Sequence, residues 1–406
     1  MILLVFLFLI SIFHSANRFF KIGIGWVLIF FLSSCIAGGE QEQQLLEQDV
    51  REFDLKTAID GGNGKKKDIR EHLKMKESVI LEFNEDYPIQ NIHKIVVQEP
   101  YIFILDNVQN YLYLYDDQGE FIRQIGSLGN GPGEYLDMTD FEISGKEIIV
   151  FSNASRKILH FNITGSFIKE IPIIFHGASV VPIDSNYLLW TQNNVSPQIP
   201  YDLILMNSSG EMIRGEQKLN PGFPSITSSG FLVRNAVPGN IRYLKMFGHE
   251  IYGVDENLNM VPFYRINLGA TGIDLQKNVN IENFLFSFHE KTFLSDMYWE
   301  NSSLILLYFH HDLRRNFGLI PKSDWQMHTE SWYEDHAILD ILRSIKTGYM
   351  TEENLYICSN PGYYQSESSF ELIDSMTLWN ASVISLEAKK ELIENSNGVI
   401  FKFSVL

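Results

Sequence analysis

The chain has 406 residues, 45% of them hydrophobic and 13% aromatic, with 50 acids against 32 Lys and Arg and a formal net charge of −18. An acidic surface of this size repels phosphate backbones and anionic lipid, which excludes nucleic acid as a partner and peripheral docking on a bilayer. Two cysteines make no disulfide framework, so stability must come from a large apolar core, in one large domain or two ordinary ones.

The N-terminus reads as an address. An apolar run from Ile22 to Leu32 follows Arg18 and Lys21 and closes in Leu32-Ser33-Ser34-Cys35. A basic flank, a short apolar core and small residues before a cut make a secretory signal. The run is too short for a bilayer span, which takes about 20 apolar residues. The earlier run Met1 to Phe13 is also short and lacks a basic start. With a cysteine at the first mature position, the segment resembles a bacterial lipoprotein signal, the lipobox. That resemblance implies that residues 1–34 are removed and that Cys35 is acylated. The mature protein is then lipid-anchored and extracytoplasmic, at the cell envelope on the outer membrane. Cleavage moves the formal charge from −18 to about −20, because Arg18 and Lys21 leave with the signal.

Residues 35–77 read as a flexible tether. Gln41-Glu42-Gln43-Gln44 and Gly61-Gly62-Asn63-Gly64-Lys65-Lys66-Lys67 are polar and show no periodic apolar face. The ordered domain is expected over 78–406, beginning with the strand-like run Ser78 to Phe83.

From there the chain reads as strand after strand. Ile92 to Val97, Tyr101 to Asp106, Tyr111 to Tyr115 and Phe121 to Ile125 are β-branched and aromatic runs, with a turn at Asp116-Asp117-Gln118-Gly119. Four such strands fill about one propeller blade of 40 to 45 residues. The unit recurs at Phe141 to Ile143, Glu147 to Phe151, Ile158 to Phe161 and Phe167 to Ile171. A third copy runs from Ser179 to Lys218. A fourth ends in Glu250 to Val254 and Val261 to Ile266, where Pro262 marks an outermost strand. Leu304 to Phe309 and Phe317 to Ile320 form the middle of a fifth, and Asn354 to Cys358 lies in a sixth. Ser385 to Glu394 has the pattern of a short helix, and Val399 to Phe403 is a final strand. The fold class is therefore all-β, with four-stranded antiparallel blades. A ring closed by its own ends hides both edges, so Val79-Ile80-Leu81 and Val399-Ile400-Phe401 are expected in one shared blade.

The stretch Gly126-Ser127-Leu128-Gly129-Asn130-Gly131-Pro132-Gly133-Glu134-Tyr135 carries a more specific signal. It resembles the GPGEY signature of six-bladed β-propeller lipoproteins of Bacteroides and its relatives, a family grouped with TolB-like and NHL-type propellers. Ile104 to Asp106, Tyr113 to Gly119, Tyr264 to Gly269 and Asn397 to Phe403 extend the likeness, strongly up to Gly269 and loosely beyond it. The sequence departs at the closing strand, where Gly398 stands in place of the family's usual proline. The resemblance implies six blades and an envelope address. It implies no reaction and no catalytic set.

Within the motif Gly126, Gly129, Gly131, Pro132, Gly133, Glu134 and Tyr135 are read as a structural turn between blades. A phosphate cradle would need a Gly-Lys-Ser/Thr ending and a following helix, and both are missing here. His310-His311-Asp312 invites a metal reading, but neighbouring strand residues point to opposite faces, and a turn accounts for the triplet better. Asp106, Asp140 and Asn153 are the residues that a calcium ion in the central channel would recruit, by analogy with propeller lactonases. Calcium wants six to eight oxygens, and three scattered residues do not supply them. No G-x-S-x-G elbow supports a hydrolase triad. Trp190, Trp299, Trp325, Trp332 and Trp379 suit blade packing better than sugar stacking. Cys358 reads as a buried, inert thiol.

These readings lead to a membrane-anchored binding or scaffold module without cofactor or metal, presenting a glycan, peptide or protein ligand site on one face of the propeller. The alternative is a calcium-dependent hydrolase or lactonase with its site in the channel.

Overall fold

A computed structural model describes residues 50–61, 66–192, 199–218, 233–234, 241–244, 248–255, 257–272, 290–312, 314–333, 339, 341–342, 347–359 and 395–406. Arg51–Leu406 form one compact unit; of the other, Met1–Val50, only Val50 is described. The signal, Cys35 and the expected helix at 385–394 lie outside the described residues. No described helix is long and apolar enough to cross a membrane.

The chain opens with β1 (Arg51–Asp54), α1 (Leu55–Asp60) and β2 (Leu73–Ile80), which belong to blades formed later. The first blade is β3 (Ile92–Gln98), β4 (Tyr101–Asp106), β5 (Tyr111–Asp116) and β6 (Phe121–Ile125). A two-stranded parallel ribbon, β7 (Ser127–Leu128) with β8 (Glu134–Tyr135), leads to the second blade. That blade is β9 (Asp140–Ser144), β10 (Glu147–Ser152), β11 (Lys157–Asn162) and β12 (Phe167–Pro172). The third is β13 (Ser179–Ile183), β14 (Asn186–Trp190), β15 (Tyr201–Met206) and β16 (Met212–Lys218). The fourth is β17 (Val233–Arg234), β18 (Ile241–Leu244), β19 (Glu250–Val254) and β20 (Met260–Asn267), with β1 as a fifth strand beyond β20. The fifth is β21 (Phe293–Glu300), β22 (Leu304–His311), β23 (Arg314–Pro321) and the short β24 (His328–Thr329). The sixth is β25 (Thr347–Met350), β26 (Asn354–Ser359) and β27 (Val399–Val405), completed by β2.

Six antiparallel sheets thus form a six-bladed β-propeller. The expected closure is present: Val79 pairs with Ile400 and Ile80 with Val399.

The strands read as continuous apolar runs because each blade is buried on both faces. Along β5, Leu112 and Leu114 enter the core shared with the second blade, while Tyr113 and Tyr115 enter the core shared with the sixth. Six such cores lie between the six neighbouring pairs of blades, including the sixth and first, which makes the ring continuous.

The expected tether needs correction. Phe53 and Leu55 are buried against the fourth and fifth blades, and β1 pairs in parallel with β20 from Arg51↔Tyr264 to Asp54↔Asn267. β20 is therefore not outermost along its second half, although Pro262 keeps the uncovered half that its missing N–H requires. The closing strand begins at Leu73, not Ser78. Leu73 is buried, while Lys74, Lys76 and Glu77 face solvent, as expected of an outer strand. Residues 51–61 and 66–72 form a strap that starts on the fourth blade and continues outside the fifth, whose own outer strand is short.

Antiparallel order sorts the connections. Those at one end are short: 99–100, 145–146, 184–185, 301–303 and 351–353, with 117–120, 163–166, 207–211, 255–259 and 322–327. The other end carries 81–91, 126–139, 191–200, 219–232, 268–292, 330–346 and 360–398, together with the short links 107–110, 153–156, 173–178, 245–249 and 312–313. Because β1 runs parallel to β20, the chain enters it from the short-turn end.

Candidate functional site

The inner strands β3, β9 and β13 start at the long-connection end. A buried ionic cluster sits at those starts. Lys94 Nζ lies 2.8 Å from Asp140 Oδ1 and 2.6 Å from Glu142 Oε1. The other Asp140 oxygen accepts the Ser179 hydroxyl at 2.6 Å and the Val180 N–H at 3.0 Å. Three successive blades therefore meet at one carboxylate, which is wholly buried.

The local sequence explains the aim of these groups. Asp140 and Glu142 are two apart on one strand and share a face. The β3–β4 register shifts between Ile92 and Lys94, and a bulge of this kind re-aims the next side chain. Burial alone would lower the Lys94 pKa, but Asp140 and Glu142 outweigh it and hold the ammonium well above its ordinary value. A lysine so held is neither a base nor a nucleophile at neutral pH. The arrangement fixes three inner strands and leaves no activated group.

The calcium candidates do not assemble. Asp106 is spent on its own turn, accepting the N–H groups of Val108 at 2.9 Å, Gln109 at 3.1 Å and Gln90 at 2.6 Å. Asn153 accepts the Gly177 N–H at 3.1 Å. Asp140 is neutralised by Lys94. Among the described residues no group of three His, Cys, Asp or Glu side chains is disposed to hold a metal ion.

The glycine-rich stretch is a self-filled turn. Glu134 N–H donates to Gly131 C=O at 3.0 Å, with Pro132 and Gly133 in the middle positions and Gly133 at φ +78°, the residues and angle of a type II turn. The Glu134 carboxylate accepts the Gly131 N–H at 2.7 Å, so the loop's own acid occupies the place an anion would take. A Cβ on Gly129 would fall 2.1 Å from that carboxylate. Tyr135 is buried between the first two blades and donates to Ile125 C=O at 3.2 Å.

The remaining sequence candidates are structural too. His311 ends β22 and Asp312 lies in the turn at φ +49°. Trp190 donates to Asp202 at 3.2 Å, Trp299 to Gly348 C=O at 3.1 Å and Trp332 to Ala58 C=O at 2.6 Å. Trp325 stacks with Phe53 and carries the Arg51 guanidinium over its ring. Trp379 lies outside the described residues. Burial pushes the Cys358 thiol far up, which makes it inert.

Sequence reasoning missed a second buried network, between the fourth and fifth blades. Glu300 accepts from Lys322 at 2.7 Å, Tyr264 at 2.8 Å and Tyr298 at 2.8 Å. Arg242 Nε lies 2.9 Å from Glu300 Oε2, at ion-pair distance but off the hydrogen-bond angle. Burial pushes the Glu300 carboxyl up, and the two cations more than offset it, so it is held below the ordinary carboxylate range. The available signal was Glu300 itself, an acid directly after the apolar run Met297-Tyr298-Trp299.

Residues 52–403 match the model of a family described as a domain of unknown function, DUF4934. The fold is similar to the crystal structure of a Bacteroides fragilis protein predicted to be exported, at 17% identity and a TM-score of 0.65, over 88% of this chain and 99% of that one. A DUF4221 family member from Bacteroides vulgatus aligns at 10% identity and a TM-score of 0.47, over 82% and 99% of the two chains. Virginiamycin B lyase from Staphylococcus aureus, solved with quinupristin, aligns at 14% identity and 0.42, over 81% and 100%. No curated protein matches the sequence.

Proposed function

For a chain that belongs to the DUF4934 family, we propose an extracytoplasmic binding propeller, held to the cell envelope by a lipid on Cys35 and meeting its ligand with the long-connection end of the ring. The observation that carries this reading is the sorting of the connections. Apart from the strap between β1 and β2, the sheets hold short turns at one end and every connection longer than ten residues at the other, and recognition residues concentrate on loops set on a rigid scaffold. The satisfied Lys94 cluster supports binding over reaction. The likeness to a Bacteroides fragilis protein predicted to be exported supports the address.

The ligand class we favour is a neutral glycan. Connections 191–200 and 219–232 contain amides, hydroxyls, prolines and phenylalanines and no ionisable side chain. Such groups recognise uncharged polyhydroxylated molecules. The short turns carry Asp116, Asp117, Glu120, Glu211, Asp255, Glu352 and Glu353, which repel anionic lipid and leave a covalent anchor as the means of attachment. The chain enters β1 from the short-turn end.

Two experiments test this. Calorimetric titration of the mature protein with a panel of neutral oligosaccharides should give saturable binding with the ligand recovered unchanged. Replacing 219–232 by a short Gly-Ser linker should abolish the binding and leave the melting temperature in place. Turnover of the ligand, or binding indifferent to the replacement, sinks the reading. Changing Cys35 to Ala should move the protein from the membrane to the soluble fraction, and a variant still membrane-bound after a high-salt wash contradicts the anchor.

A further inference from the structure

The strap is fastened to the fifth blade by a seam that contains two histidines. Ala58 C=O accepts the Trp332 indole N–H at 2.6 Å and the Thr329 hydroxyl at 3.2 Å. Lys67 N–H donates to Trp332 C=O at 2.8 Å, and His72 C=O accepts the N–H of Leu406 at 2.9 Å. His72 thus stands where the strap, the sixth blade and the chain's last residue meet.

Four polar atoms at this seam are buried without a hydrogen-bond partner among the described residues: His72 Nε2, both ring nitrogens of His328 and the Tyr333 hydroxyl. The rings pack edge to face, with His72 and Tyr333 centroids 6.2 Å apart, His328 and Tyr333 6.5 Å, and His328 and Trp332 5.0 Å. A neutral imidazole tolerates such a place. An imidazolium brings a charge and two donors, and needs acceptors or water.

We propose that His72 and His328 form an acid-opened latch that releases the strap, described over 51–61 and 66–72, from the fourth and fifth blades.

The groups facing the latch do not neutralise two new charges. Glu71 adjoins His72 on the strap and is exposed. Lys67, also on the strap, acts on both histidines and is already positive. Asp324, from the β23–β24 turn, lies 3.9 Å from His328 Nε2, too far for a hydrogen bond and close enough to compensate one imidazolium. Each histidine also adds to the other's charge. Burial, the largest influence on both, holds their pKa values below the ordinary imidazole value.

The sign follows. In the closed seam both rings are neutral; once the strap is released, His72 on it and His328 on the uncovered fifth blade are solvated, with pKa near 6.5. The released form therefore binds more protons, and release is favoured as pH falls from about 6.5 towards the closed-state values. Each histidine contributes up to tenfold per pH unit, so the pair gives up to about a hundredfold. Release uncovers Phe53 and Leu55 and bares the edge of β20 that β1 covers.

The test is hydrogen exchange on the full mature chain between pH 7.5 and 5, corrected for intrinsic exchange rates. Amides of 51–72 should lose protection below about pH 6.5 while β3–β5 and β9–β11 keep theirs, and the H72F/H328F variant should keep the strap protected to pH 5. A wild-type strap still protected at pH 5 overturns the latch, as does a variant that opens over the same range. If the variant does not fold, imidazole NMR of the wild-type chain decides. Both rings should titrate below 6.5, in step with exchange of the strap. Titration at or above 6.5 with the strap still protected overturns the proposal.

Discussion

The side-chain oxygen of Asn397 accepts the backbone N–H of Ile89 at 2.9 Å, across 308 positions of sequence. Its amide nitrogen donates to Glu82 C=O at 2.9 Å and to the Tyr115 hydroxyl at 3.2 Å. Leu81 and Asn397 add a backbone bond at 3.0 Å, and Leu81 N–H reaches Gly398 C=O at 3.0 Å. Gly398 takes φ +128°, which proline cannot adopt. One asparagine thus joins the sixth blade, the first blade and the connection between them.

Changing Asn397 to Ala leaves the buried Ile89 N–H unpaired and should destabilise the fold by about 1–3 kcal/mol. The exposed pair Asn91–Asn107, 2.7 Å apart, serves as a control, and Asn91→Ala should change stability by less than about 0.5 kcal/mol. Urea denaturation of both variants checks the contrast. Equal losses would show that Asn397 is not a closure contact.

Removing the Glu300 carboxylate strands Arg242 and Lys322. Glu300→Ala should lose about 3–5 kcal/mol, the usual consequence of breaking a buried pair from one side. The double change Glu300→Leu with Arg242→Met should lose less than the sum of the singles, because it removes the opposed charges together. Additive losses in chemical denaturation would mean that the two residues are not coupled.

A chain starting at Val50 should be soluble and monodisperse. One starting at Ser78 lacks β1, α1 and most of β2, and bares the sites that Ile69, Leu73 and Phe53 fill in two cores. It should aggregate through the open edge of β27. Size-exclusion chromatography of the two chains distinguishes them, and a well-behaved Ser78 start would restore the long tether.

Stability should be flat in mildly alkaline solution and fall on both sides. His160 is pushed below the ordinary imidazole value by burial, which its 2.7 Å contact with Glu147 only partly offsets. It binds its proton more readily unfolded, so stability drops as pH falls below about 6.5. Glu300, held low, adds a further loss at a pH below about 4.5. Lys94, held high, contributes stability that is complete below about pH 10.4 and is lost as pH rises further. Melting curves from pH 4 to 11 test this, and His160→Phe should shrink the acid shoulder, leaving the part that comes from His72 and His328. A shoulder unchanged in that variant removes His160 from the account.

The six blades were legible where strands fold on near neighbours. Tyr101 to Ile125 and Phe141 to Ile171 announce their hairpins because pairing partners lie within one turn and both faces are apolar. The third copy runs from Ser179 to Lys218 in sequence and structure alike. Pro132-Gly133 could be read as a turn from its own residue types, since φ is a local property.

Sequence alone determined the all-β class, the repeat and the apolar runs that the blades bury, because strand pattern and turn chemistry act over a few residues. Tertiary structure decided the strap, the Lys94 cluster and the Glu300 network. Arg51-Glu52-Phe53-Asp54 offers one apolar side chain and reads as tether; it becomes a strand only because β20, more than two hundred residues later, presents an open edge. Lys94 carried no signal and Asp140 read only as a candidate calcium ligand until two blades bring them 2.8 Å apart. A charge in an apolar run has no local partner to reveal it, and its partner is supplied by closure of the ring.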